Sequence, residues 1–315
     1  MGVESEYMKD GHLFSEYRMR DSVSGRDSEA AVGLRNGWQL TTGIRLNTNA
    51  ERITTIGGAT NNDATALGAG LEYTGSNRWK GSTRLEYRTS STNFSYLGTI
   101  GLAHKFNRSI TLLGREILSY SQNKDAVGGV KVQQRSQLGL AYRPVDSNRW
   151  NLLSKYEFRY ESDSTNPTMA ATRSIAHILS VSANYQPIRA LVLSGRYAAK
   201  LSLDESGTIT SNSAAHMITG RMTYDLTKKW DLGFNSMVLF NRDLRSALYG
   251  VGNEIGYLLT ANLWLSAGYN YFGFYDKDLS GQDYTNPGYF MRMRFKFDEH
   301  LLDGFQNKTL NDGPQ

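Results

Sequence analysis

Five histidines, at positions 12, 104, 177, 216 and 300, are the side chains whose ordinary titration suits proton transfer near neutral pH. They are scattered through the 315 residues, and none sits in a nucleophile-elbow or zinc-binding motif. With no cysteine, the chain has no thiolate nucleophile, thiolate metal site or disulfide. Asp276, Asp278 and Asp283 read first as a solvated acidic loop, with weak calcium binding as the lesser reading. Glycine-rich phosphate loops that open a helix are absent. No catalytic, cofactor or metal site is predicted, and a hydrolase stays a remote alternative.

The abundant chemistry is cationic, with 35 Lys+Arg against 30 Asp+Glu. Arg18, Arg20, Arg35, Arg45, Lys80, Arg84, Arg88, Lys105, Arg115, Arg135, Arg143, Lys155, Arg159, Arg196, Lys200, Arg292, Arg294 and Lys296 occupy positions opposite apolar neighbours. Their acidic counterparts are fewer: Glu16, Glu72, Glu86, Glu157, Glu161, Asp225, Asp231 and Glu254. A basic excess enclosed by low-dielectric walls concentrates anions and repels cations. The bland alternative is that Arg–Glu pairs cross-link neighbouring segments and fill an interior. Nucleic acid is not an expected partner, because the cations are spread through segment interiors and form no exposed patch.

The elements that would carry these cations show a period of two over segments about twice the length of an ordinary soluble strand. Trp150, Leu152, Ser154, Tyr156, Phe158 and Tyr160 alternate with Asn151, Lys155, Glu157, Arg159 and Glu161. Trp79, Thr83, Leu85 and Tyr87 alternate in the same way with Lys80, Ser82, Arg84, Glu86 and Arg88. About sixteen such segments are predicted, the first near 11–21 and the last near 288–297. No stretch approaches the roughly 20 apolar residues of a membrane-spanning helix. An aromatic content of 11% with only 5 Pro does not fit disorder.

The predicted connections alternate in length. Short ones carry Asn36-Gly37, Ser76-Asn77, Asn107-Arg108 and Ala261-Asn262; longer polar ones run over 49–63, 122–131, 162–173, 204–214 and 276–287. Trp38, Trp79, Trp150, Trp230 and Trp264 each follow a short turn, which predicts an aromatic girdle at one rim of a bilayer-spanning sheet. These features predict an all-β, antiparallel, up-and-down transmembrane barrel with short periplasmic turns, long external loops and an even strand number that leaves both termini periplasmic. A soluble sandwich is the alternative. It would leave the edges of many long strands unprotected, whereas closure in lipid satisfies every backbone group. Barrels of 16 to 18 strands generally enclose water, so a porin-like, anion-favouring channel is the expected function.

In the last segment, Gly288, Met291, Met293, Phe295 and Phe297 alternate with Arg292, Arg294 and Lys296. This resembles the closing-strand signal of bacterial outer-membrane barrels, although Phe297 is not the last residue. The stretches 250–257, 262–270, 273–274, 278–279 and 294–299 resemble the C-terminal barrel of large multidomain outer-membrane proteins of Gram-negative bacteria. The resemblance covers about the last fifth of the chain and implies outer-membrane location and architecture, with no catalytic residues carried across. It also implies outer-membrane lipid, lipopolysaccharide and the barrel-assembly machinery as partners, and leaves open a role as membrane anchor or translocator for upstream domains or a translocated partner. Residues 1–297 are expected to form the barrel and 298–315 a polar tail, periplasmic or lumen-facing. The start, Met1 to Glu6, lacks a secretory signal's basic and apolar parts, so a segment of a longer protein is the favoured expectation.

Overall fold

The computed structural model describes residues 2–22, 25–57, 63–124, 128–147, 149–243, 245–260, 263–276, 278–279 and 286–295; of 20–22 and 25–27 it describes the backbone alone. These residues form one antiparallel up-and-down sheet of 17 strands. The first nine are β1 (Gly2–Met8), β2 (Gly11–Ser22), β3 (Gly25–Thr41), β4 (Ile44–Gly57), β5 (Ala64–Tyr73), β6 (Trp79–Ser90), β7 (Asn93–Lys105), β8 (Ile110–Asn123) and β9 (Val130–Tyr142). The rest are β10 (Trp150–Asp163), β11 (Thr172–Ile188), β12 (Leu191–Ser206), β13 (Ile209–Asp225), β14 (Trp230–Asn241), β15 (Ser246–Thr260), β16 (Leu263–Phe272) and β17 (Gly288–Phe295). Lys296, Phe297 and the expected tail lie outside the described residues. Pairings among the described residues do not close the sheet into the predicted cylinder.

The expected segments correspond to β2 through β17, except that the one expected at 38–48 spans the reversal between β3 and β4; the additional strand is β1, which pairs with β2 from Gly2↔Glu16 to Met8↔Gly11. Its sequence carries charge at alternate positions but only a short apolar series, so the period-two signal is weak there. An odd count removes the parity argument for placing both termini at one rim, since the first and last strands then run the same way.

Two turns differ from expectation. Asn36-Gly37 is no hairpin: Asn36 pairs with Thr48 and Gly37 with Asn47 inside a long β3–β4 ladder, and β4 runs on to Gly57 over most of the connection expected at 49–63. The chain reverses at Thr42-Gly43, where Gly43 has φ +83°, a region that L side chains rarely occupy. Gly37 serves packing instead, because the Arg45 guanidinium lies where its Cβ would be. The second difference is at 204–214, expected as a long loop. There β12 and β13 run on to a two-residue turn at Gly207-Thr208, with Gly207 at φ +59°. Polar composition does not stop these residues from pairing as strands. Connection lengths therefore do not alternate strictly; β6 and β7 too are joined by Ser91-Thr92 alone.

The chain forms two compact units. One comprises 1–146, 152–180 and 200–214, and the other 147–151, 181–199 and 215–315. Within each, side-chain burial runs opposite to that of a water-soluble sheet. In the first unit the buried apolar residues Phe14, Ala31, Ile53, Ala64 and Ala66 share a face with Arg18, Arg35 and Glu51, while Leu85, Ile100, Leu118 and Leu138 stand exposed on the other. In the second, Met217 and Met237 are buried on the face that carries Arg221 and Glu254, and Met222, Phe234, Ile255 and Met291 are exposed opposite.

Candidate functional site

The charged face of the first unit is ordered in cross-strand rows. One row runs Lys80, Ala103, Leu113, Gly139, Lys155, each residue directly opposite the next on β6 to β10. The next runs Ser82, Gly101, Arg115, Gln137, Glu157, and a third Arg84, Thr99, Ile117, Arg135, Arg159. The register is unbroken along β8, where Arg115 stands between Leu113 and Ile117 on the charged face and Glu116 lies on the apolar one.

Carboxylates on this face are shared between several cations. Glu157, 2% exposed, holds Lys155 at 2.6 Å, Arg135 at 3.3 Å and Arg159, and it accepts a hydrogen bond from Gln137 at 2.8 Å. Glu86 meets Arg84 at 2.7 Å and Arg88 at 3.9 Å. Arg18 bridges Glu16 at 2.9 Å and Glu51 at 2.6 Å, and Arg35 lies 3.7 Å from Glu16 with its guanidinium 4.1 Å from the Phe14 ring centroid. Arg45 faces Asp10 at 3.8 Å. Around Glu157 and Glu86 the cations outnumber the carboxylates, whereas Arg18 and Arg35 balance Glu16 and Glu51. Lys80 and Arg115 have no hydrogen-bonding or ionic partner among the described residues.

In the second unit, Glu254 on β15 binds Arg221 of β13 and Arg292 of β17, the latter at 3.4 Å, and accepts from the Ser266 hydroxyl at 3.3 Å. This pairing from β13 to β15 crosses Gly233 of β14, whose missing side chain makes room for the Glu254 stem. The same device recurs: Asn270 lies against Gly252, Trp264 against Gly256, Met237 against Gly250 and Phe290 against Gly268. The space over Gly250, Gly252 and Gly256 is thus filled by side chains of neighbouring strands.

Trp264 departs from its expected place. Trp38, Trp79, Trp150 and Trp230 are exposed on the apolar face, where Trp79 packs on His104 and Trp150 stacks on Tyr185. Trp264 stands on the charged face, with the Arg294 guanidinium 4.5 Å from its ring centroid and Asp231 accepting its indole N–H. Its parity was readable, since Ser266, Gly268 and Asn270 alternate in step with it.

Of the other expected residues, Met291, Met293 and Phe295 are exposed on the apolar face of β17, and Gly288 has φ +122°. Arg143 follows β9, and its backbone N–H donates to the Ser109 carbonyl at 2.8 Å. Lys105 ends β7, Arg196 and Lys200 belong to β12, and the side chain of Arg20 lies outside the described residues. Asp276 accepts hydrogen bonds from the Asp278 and Leu279 backbone N–H groups at 2.9 and 2.8 Å, so its carboxylate closes its own turn; Asp283 is outside the described residues. His177 and His216 are hydrogen-bonded to Tyr156 at 2.8 Å and Tyr197 at 2.9 Å. Lys131, absent from the expected set, bridges Asp163 at 2.9 Å and Glu161 at 3.1 Å on the same face.

No family model matches the chain, and no curated protein matches it. Among solved structures, the outer membrane channel DcaP of Acinetobacter baumannii is similar with a TM-score of 0.47 at 10% identity, over 85% of this chain and 84% of that one. The ferric citrate transporter FecA gives 0.47 at 12% identity, over 99% of this chain and 57% of its own length. OmpT, an outer membrane protein of Vibrio cholerae, gives 0.41 at 12% identity, over 94% and 99%. At these values the likeness decides neither closure nor conduction.

Proposed function

We propose that the sheet closes in the bacterial outer membrane into a barrel whose apolar face meets lipid and whose charged face surrounds a water-filled passage for anions. One observation carries this reading: large apolar side chains are exposed on one face, while the carboxylates of the other are outnumbered by the cations that share them. A soluble protein rarely exposes so many apolar residues together, and hydrocarbon is the solvent that accommodates them. Closure removes the unpaired edges that lipid cannot tolerate. The surplus positive charge on the inner wall lowers the energy of a permeating anion and raises that of a cation.

The passage is non-catalytic in this reading, its surroundings are outer-membrane lipid and lipopolysaccharide, and its insertion is the work of the barrel-assembly machinery. The test is refolding into phosphatidylcholine liposomes loaded with potassium chloride. In vesicles with verified insertion, an interior-positive potential as potassium chloride leaks out, the sign that chloride leaves ahead of potassium, supports the proposal. A protein that stays folded and monodisperse in buffer without detergent overturns it, as does one that inserts and leaks nothing.

A further inference from the structure

The first unit holds a cavity of about 750 Å³ on its charged face, lined by residues of β5 to β10. That size accommodates a medium-sized organic molecule. Two features distinguish it from the rest of the face. Its floor is small or apolar, with Gly101, Ala103, Gly139, Leu113 and Leu153, so a flat apolar body could lie against it. Its walls carry Lys80 and Arg115, two cations whose side chains have no carboxylate partner among the described residues, and Lys155, which Glu157 already engages. Lys80 stands opposite Ala103 and Arg115 opposite Gly101, one row and two strands apart. Strand spacing and rise put their backbones roughly 12 Å from each other, within converging reach of two long side chains. The acidic lining residue Glu72 accepts a hydrogen bond from Asn47 at 2.9 Å. Elsewhere on the face, arginines meet carboxylates; here two cations are left for a ligand.

From this geometry we infer a binding site for an organic anion with an apolar body, an aromatic carboxylate being the chemical class that fits. The carboxylate takes Lys80 and Arg115, and the ring covers the glycine and alanine floor. The inference builds on the proposed anion passage and narrows its cargo, but the site can be tested without conduction.

The probe is 2-naphthoate, measured by equilibrium dialysis against the full chain in lipid nanodiscs, with 2-naphthamide and acetate as competitors. Expected is saturable naphthoate binding that at least tenfold higher concentrations of either competitor fail to displace, and that weakens at least tenfold in the doubly substituted K80Q/R115Q protein. Heat-modifiable gel mobility checks that the variant is folded, and S119R, on the same face outside the cavity, should bind as the parent does. Equal competition by naphthamide, equal competition by acetate, or unchanged binding by folded K80Q/R115Q overturns the site. A protein that binds naphthoate but passes no chloride keeps the site and sinks the channel; an anion-selective protein that ignores naphthoate does the reverse.

Discussion

Trp264 of β16 and Asp231 of β14 are hydrogen-bonded across the strand between them, over Gly256 of β15. A Cβ at Gly256 would fall against the Trp264 ring and the Asp231 carboxylate. Replacing Gly256 with Val should therefore separate the pair and destabilise the protein by about 1–3 kcal/mol, the usual cost of overpacking. Urea titration in detergent, followed by tryptophan fluorescence, checks it. An unchanged midpoint would show that the glycine is not what holds the indole on the charged face.

Glu157 is the hub of three cations, and its loss leaves them facing one another. Glu157→Gln keeps the shape and removes the charge. Breaking a fully buried pair costs roughly 3–5 kcal/mol. Lys155, Arg135 and Arg159 stay partly solvated here, so the expected loss is smaller, about 2 kcal/mol. The same substitution should raise anion over cation permeability, read as a larger reversal potential in a salt gradient. Greater stability together with lower anion preference would contradict the account of the cluster.

Leu118 and Ser119 are successive residues of β8 that point to opposite faces. Leu118→Arg places charge on the face assigned to hydrocarbon and should cost about 2–4 kcal/mol near the bilayer midplane. Ser119→Arg should fold as the parent does. Folding yields into lipid vesicles, measured side by side, decide the assignment, and the reverse order of yields would exchange the two faces.

Glu116 shares the apolar face with Leu118, opposite Ile100 and Ser136 on the adjoining strands. Glu116→Leu should stabilise the lipid-inserted protein by about 1 kcal/mol, since an acidic side chain costs less than a basic one in that setting. The denaturation midpoint in vesicles measures it.

Much of this was legible in the sequence because alternation is a strong signal when both faces are extreme. Along β6, the series from Trp79 to Arg88 fixes both the strand and which side chains share a face without help from its neighbours. Glycine is the ambiguous letter. Asn36-Gly37 has the composition of a tight turn, yet Gly37 is there so that the Arg45 guanidinium can cross it, while the chain turns at Thr42-Gly43. Gly252 and Gly256 are receptacles for Asn270 and Trp264, residues of the next strand. Which role a glycine plays depends on the residue across the ladder, and register is not written locally. The carboxylate clusters were hidden for the same reason: Arg221, Glu254 and Arg292 are far apart in the chain and meet only when β13 to β17 are paired.

The most direct measurement of the central claim is the reversal potential of the reconstituted full chain in a planar bilayer under a tenfold potassium chloride gradient. The account predicts steady conductance and a reversal potential whose sign reports chloride passing more readily than potassium, smaller in K80Q/R115Q than in the parent. A reversal potential of the opposite sign, or an inserted protein that carries no current, would contradict it.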